Sequence, residues 1–241
     1  MGAWARCFRA NRMVRVVKLV QNGIRQDGVR VLLEQGLGGC EGLRELDLQD
    51  NTFTILGARA LAGVLPGWGG LRELGVGDCL LGRRGGEVVL RALRGCGGLE
   101  VLRAQYNEID AGGVGVLLGV AKGLERLRRV EVNGNKFAEE DERVEGLRAL
   151  LDGRREAAGG EEGEGPWGLD ELSDLEEDSE DDDGGEDEDE EANEEEEEEE
   201  REERREGMLK DAEEEEGMKV AEKKDEDVDA LADALGKTHV K

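Results

Sequence analysis

Four eleven-residue stretches recur in fixed phase along the first two-thirds of the chain: LRELDLQDNTF from Leu43, LRELGVGDCLL from Leu71, LEVLRAQYNEI from Leu99 and LRRVEVNGNKF from Leu127. Each starts 28 residues after the one before, and a polar landmark keeps the same step, at Asn51, Cys79, Asn107 and Asn135. An earlier copy, VRVVKLVQNGI from Val14, places Asn22 29 residues ahead of Asn51. A chain that repeats itself at this period is bound to fold as stacked copies of one small unit, because no single copy has enough apolar surface to close a core.

The unit can be read from side-chain alternation. In LRELDL, Leu43, Leu46 and Leu48 turn inward while Glu45, Asp47 and Gln49 turn out, which is a short strand. The landmark follows where the chain leaves the strand. An Asn amide there satisfies backbone groups of neighbouring turns, and a Cys is a small apolar substitute. Helical spacing comes next: Leu56, Ala60, Leu61, Val64 and Leu65 in one repeat, Val114, Leu117, Leu118 and Ala121 in another. L-x-x-L-x-L-x-x-N-x-F with a returning helix is the leucine-rich-repeat pattern. The expected fold is α/β: a leucine-rich-repeat solenoid of the ribonuclease-inhibitor-like kind, with repeats of about 28 residues, strands lining a concave wall and a disordered acidic C-terminal tail.

Charge divides the chain. Residues 1–151 carry 22 Lys and Arg against 19 Asp and Glu, a net of +3, and residues 152–241 carry 11 against 42, a net of −31. The expected organisation is residues 1–12 as the outer helix of a truncated repeat, with Trp4, Cys7 and Phe8 on one face. Residues 13–151 hold five repeats, the last with a more charged helix suited to a C-terminal cap. Residues 152–241 form an acidic tail too poor in apolar residues to fold. Two apolar patches interrupt that tail, Trp167/Leu169/Leu172/Leu175 and Val228/Leu231/Ala232/Leu235, the second at the spacing of a partner-binding helix.

Several function classes are set aside on composition. The four cysteines lack C-x-x-C spacing and His239 is the single histidine, so neither a zinc site nor a Ser–His or Cys–His pair within the repeats is expected. No phosphate-binding loop, H-E-x-x-H or G-x-S-x-G occurs. The chain therefore reads as no enzyme, with no cofactor and no metal. No apolar run approaches a membrane span, and the wall lacks the basic patch and stacking aromatics of a nucleic-acid binder. The expected binding surface is the concave wall: Lys18, Glu45, Asp47, Gln49, Glu73, Arg103, Gln105, Arg129, Glu131 and Asn133. Mixed charge with interspersed amides suits a protein partner better than a polyanion. Gly75 and Gly77 are expected to leave bare backbone on that wall.

Particular strings add a resemblance. VKLVQNGIRQDGV (Val17–Val29), LRELDLQDNTFTILGARALA (Leu43–Ala62), LRELGVGDCLL, LRAQYNEID (Leu102–Asp110) and EVNGNKFAEEDE (Glu131–Glu142), followed by an acidic tail, closely resemble the Ran GTPase-activating proteins of fungi, in their C-terminal part. The resemblance runs from the start to about Leu151. It implies a cytoplasmic activator that binds the GTP form of the small GTPase Ran on its solenoid, with a Ran-binding protein as an accessory partner. Such an activator promotes GTP hydrolysis and so gives nuclear transport its direction, as a regulator without catalytic chemistry of its own. The family orients the GTPase's own glutamine with an asparagine on an earlier repeat rather than inserting an arginine. Because WARCFRANR matches a helix well inside the family's solenoid, the repeats bearing that asparagine are expected upstream, and no catalytic residue is carried over. Asn22, Asn51, Asn107 and Asn135 belong to the repeat landmark. The alternative is a non-catalytic repeat scaffold whose acidic tail takes a basic protein such as a histone.

Overall fold

Each repeat contributes one short parallel strand to a common sheet and one helix packed behind it. The computed structural model describes residues 1–159 and 167–176, all within one compact unit spanning Met1–Asp189. Helix α1 (Gly2–Ala10) opens the chain. Strand and helix then alternate: β1 (Val16–Lys18), α2 (Gln26–Gln35), β2 (Glu45–Asp47), α3 (Thr54–Val64), β3 (Glu73–Gly75), α4 (Gly82–Ala92), β4 (Val101–Arg103), α5 (Ala111–Ala121), β5 (Arg129–Glu131), α6 (Glu142–Ala157) and β6 (Gly168–Leu169). The strands lie side by side in chain order, all parallel. Register follows the sequence period: Val17, Leu46, Leu74, Leu102 and Val130 are successive partners, and all five are buried.

The core is the leucine ladder read from the pattern. Leu43, Leu46, Leu48, Leu71, Leu74, Leu99, Leu102 and Leu127 are essentially inaccessible. They pack against the helix residues Leu32, Leu61, Leu90, Leu117 and Leu147. Helix faces are rotated slightly from the expected stripes: in α3 the buried set is Ile55, Ala58, Ala60 and Leu61, with Leu56 only half-buried. In α1, Ala5 and Phe8 face the core. Trp4 and Cys7 are exposed, Trp4 lying against Phe8 with ring centroids 6.0 Å apart. Trp68, in the Pro-Gly-Trp turn, is fully buried and donates its indole N–H to the Leu37 carbonyl at 3.3 Å.

Beyond each strand the ladder continues by one turn. The N–H groups of Gln21, Asp50, Asp78 and Tyr106 reach Gln49, Gly77, Gln105 and Asn133 carbonyls at 2.8–3.0 Å. Those four residues have φ between 50° and 57°, the left-handed region that turns the chain off the sheet. The landmark amide then staples adjacent repeats. Asn107 accepts from the N–H groups of Cys79 (3.0 Å) and Leu81 (3.3 Å) and donates to the Val76 (2.8 Å) and Gln105 (2.9 Å) carbonyls. Asn135 repeats this one unit later, and Asn51 does so toward Leu19, Ile24 and Leu48. Cys79 fills the same place with its thiol, which donates to Leu48 at 3.3 Å. Burial pushes that thiol up to about 12, so it stays protonated and acts as a donor.

The end of the repeat region differs from the expectation in two ways. The boundary at 151 is overrun, because α6 continues to Ala157. Arg154 ties its last turns to the solenoid, donating to the Leu127 (2.8 Å) and Ala121 (2.7 Å) carbonyls. The segment 167–176, placed in a structureless tail on composition, instead lies on the outer edge of the sheet. Gly168–Leu169 pairs with Arg129–Val130, and Leu172 enters the core at 8% exposure. Leu169 and Leu175 pack beside it. The rest of the expected tail, including the patch at Val228–Leu235, lies outside the described residues.

Candidate functional site

The ten wall residues fall where strand alternation puts them, on the open face of the sheet from β1 to the turn after β5. Lys18 is exposed and the other nine are half-buried. Their partial burial comes from lateral pairing across neighbouring strands, which in sheets generally lie about 4.8 Å apart. Lys18 pairs with Glu45 of the next strand, and that contact raises the lysine above its ordinary value. Arg103 sits between two carboxylates, 3.2 Å from Glu73 and 3.7 Å from Glu131. Gln105 donates to Glu131 at 2.7 Å, and Arg129 reaches the same carboxylate at 3.1 Å. Asp47 accepts from the Gln49 amide at 2.9 Å. Most of the wall's charges are thus already paired within the chain, Lys18 with Glu45 and Arg103 and Arg129 with Glu73 and Glu131. A partner that reads the wall must exchange these contacts for its own.

Two expected features change in the structure. Gly75 and Gly77 are not bare: both are buried beneath neighbouring polar side chains. A Cβ on Gly75 would lie 2.6 Å from an Asp47 carboxylate oxygen. One on Gly77 would lie 2.8 Å from the Gln49 side-chain oxygen and 2.9 Å from that of Gln105. The glycines are the space into which those side chains fold. Second, the end of the wall at β5 is engaged by segment 167–176. The Arg129 guanidinium donates to the Trp167 (3.4 Å) and Leu169 (3.3 Å) carbonyls. Asp170 accepts from the backbone N–H groups of Val132 (2.9 Å) and Asn133 (3.0 Å). Asn133 exchanges hydrogen bonds with Asp174, at 3.0 and 3.2 Å. Burial raises the Asp170 carboxyl above its usual range, against the pull of those two N–H groups and of Arg129. Arg128 faces the Trp167 ring at 5.9 Å, a cation–π arrangement.

Sequence reasoning missed this covering segment as part of the site. Its signal was the Trp167/Leu169/Leu172/Leu175 patch, visible but assigned to the tail. It also missed Tyr106, whose hydroxyl donates to Asp174 at 2.8 Å on the rim above the wall. Among the described residues no group of His, Cys, Asp and Glu could hold a metal ion, and no helix is long and apolar enough to cross a membrane.

Comparisons with known proteins agree with the repeat reading. No family model matches the chain. Over 145 residues it is 35% identical to Ran GTPase-activating protein 1 of Saccharomyces cerevisiae, an alignment covering 58% of this chain and 36% of the relative. The chain thus spans about a third of the curated relative it matches. Among solved structures it resembles the tropomodulin C-terminal domain of Caenorhabditis elegans, with a TM-score of 0.55 and 15% identity, over 64% of this chain and 92% of that one. The second likeness shows the α/β repeat fold alone. The first corrects one expectation: the chain was read as no enzyme, whereas the relative is named for activating a GTPase, that is, for stimulating GTP hydrolysis. The absence of hydrolase motifs could not reveal this, because the hydrolytic site of such a pair is built on the GTPase.

Proposed function

We propose that this chain acts with the small GTPase Ran, binding its GTP form on the open face of the sheet and promoting GTP hydrolysis, in the cytoplasm and in the service of nucleocytoplasmic transport. The observation that carries the reading is the 35% identity to a Ran GTPase-activating protein over 145 residues, 58% of this chain. The mixed-charge wall supports it. A face of alternating, laterally paired Lys, Arg, Glu and Asp favours one protein surface by charge register and disfavours others. Lys18, Glu45, Asp47, Gln49, Glu73, Arg103 and Gln105 are the wall residues left open by segment 167–176. A Ran-binding protein would be a further contact of the same complex.

The test is single-turnover hydrolysis of GTP-loaded Ran with substoichiometric amounts of the full chain. Binding of GTP-loaded Ran is expected, Glu73→Lys, which puts a cation beside Arg103, should weaken it by about tenfold or more, and acceleration beside it supports the activating part of the reading. Ran binding without acceleration would reject the activating part of the reading. A second reading rests on the net charge of −31 over residues 152–241: a repeat scaffold whose acidic chain takes a basic protein such as a histone. Removal of residues 177–241, which leaves α6 and segment 167–176 in place, would abolish histone binding in that case and spare Ran.

A further inference from the structure

Two large apolar side chains stand on the rim where strands turn into helices, in adjacent repeats: Leu80 after β3 and Tyr106 after β4. Both have positive φ, 52° and 54°. That region is unfavourable for bulky residues and persists where surroundings enforce it. Both also stay in water, at 55% and 50% exposure. Neither is needed to fill the core, which closes beneath them on Leu81 and Ile109.

Tyr106 is moreover held rigid. Its ring occupies the space above Gly134, the equivalent rim position one repeat on, where a Cβ would land inside the ring. Gly134 itself has φ 70°. The Tyr106 hydroxyl donates to Asp174 at 2.8 Å, and Asp174 is fixed in turn by Asn133. A half-exposed aromatic with one orientation loses little entropy when a partner covers it, which is what makes such groups anchors in interfaces. Carboxylates share this rim: Asp50 and Asp78 hold the position of Tyr106 in the two preceding repeats, Glu108 lies two residues after it, and Asp174 accepts its hydroxyl. Nearby cations are drawn into the rim itself, Lys136 3.7 Å from Glu108 and Arg83 2.6 Å from Asp110.

We propose that this rim is a second interaction surface, separate from the ten wall residues, with Leu80 and Tyr106 as apolar anchors among its carboxylates. It fits a protein partner that presents an apolar side chain flanked by Lys or Arg. The proposal rests on the reading above, that the partner is the GTPase bound by the open face: the rim borders that face, so one partner can touch both.

The experiment measures the affinity of the full chain for GTP-loaded Ran by titration calorimetry at low and high salt, with thermal melting of each variant alongside. Leu80→Ser and Tyr106→Ala are each expected to weaken binding about tenfold, the range of an interface anchor. Tyr106→Phe should lose only a few-fold, and wild-type affinity should fall as salt rises. Leu80 is exposed, so its variant should melt like wild type and keep the test sound if Tyr106→Ala folds poorly. Wild-type affinity in both Leu80→Ser and Tyr106→Phe, or in Tyr106→Ala, would overturn the rim while leaving the Ran reading standing. Failure of the wild-type chain to bind Ran would overturn that reading, and the rim as a surface for it.

Discussion

The two edges of the sheet are made from the same repeat and finish differently. At the β5 edge, segment 167–176 adds a parallel strand, supplies Asp170 to two backbone N–H groups and buries Leu172. At the β1 edge, among the described residues, no strand lies outside Val16–Lys18. Met13, Val16 and Val20 are 82%, 53% and 43% exposed there. The landmark asparagine shows the contrast most sharply. Asn107 and Asn135 each bond across two repeats, whereas among the described residues the Asn22 amide donates only to the Val20 carbonyl beside it, at 2.9 Å. A residue can thus occupy the landmark position without doing the landmark's work. Its stabilising effect comes from the neighbour it staples and is absent where no neighbour is in place.

The largest expected effect breaks this comparison directly. Asn107→Ala strands the buried N–H groups of Cys79 and Leu81 and the Val76 carbonyl, while the Gln105 carbonyl keeps the Asp78 N–H, at a cost of about 3 kcal/mol. Asn22→Ala removes one exposed hydrogen bond and should stay within about 0.5 kcal/mol of wild type. Denaturant titration of the full-length pair measures both. Equal losses would mean that the landmark acts within its own turn rather than between repeats.

The next effect concerns what covers the β5 edge. Leu172→Ala should cost about 2 kcal/mol, the low end for a buried leucine because the site borders solvent. Trp167→Ala should cost about 0.5–1 kcal/mol through the stacked Arg128. Both variants should raise amide exchange at Val132 and Asn133 while leaving β1 to β3 unchanged. Uniform loosening along the sheet would show that the repeats melt as one block and that the edge has no local stability of its own.

These contrasts also mark how far the sequence could be read. The strands, the inward leucines, the landmark turns and the parallel order follow from a pattern repeated five times, each copy checking the phase of the others. The wall residues were legible for the same reason, since alternation fixes their side. Segment 167–176 occurs once, so no second copy could place it. Its strand is two residues long, too short for alternation to register, and it lies in a run whose acidity argues against folding. What seats it is tertiary: an open sheet edge with free N–H groups, for which a carboxylate at Asp170 is a suitable acceptor. The lateral ion pairs of Arg103, and the burial of Gly75 and Gly77 beneath their neighbours, likewise depend on which side chains meet across strands. Composition says only that such charges exist.

The smallest effect sharpens the comparison through a single proton. Burial raises the Asp170 carboxyl in the folded chain, with Arg129 and the N–H groups of Val132 and Asn133 opposing the shift. A group whose folded value is raised favours the fold most when protonated. Its contribution is therefore fully present below the ordinary Asp value of about 4 and is lost as pH rises through the raised value. Seating of segment 167–176 should accordingly tighten slightly as pH falls from neutral toward that range. Among the described residues no carboxyl accepts from the backbone of the β1 edge in this way, and that edge should show no matching change. Exchange protection of the Val132 and Asn133 amides, corrected for the intrinsic pH dependence of exchange, gives the sign. Asp170→Asn should weaken seating, because one N–H then faces an amide group instead of an oxygen, and should flatten the pH response. Weaker protection on acidification in the wild-type chain would show that Asp170 is held by its hydrogen bonds more than it is penalised by burial, and that the edge is closed by charge rather than despite it.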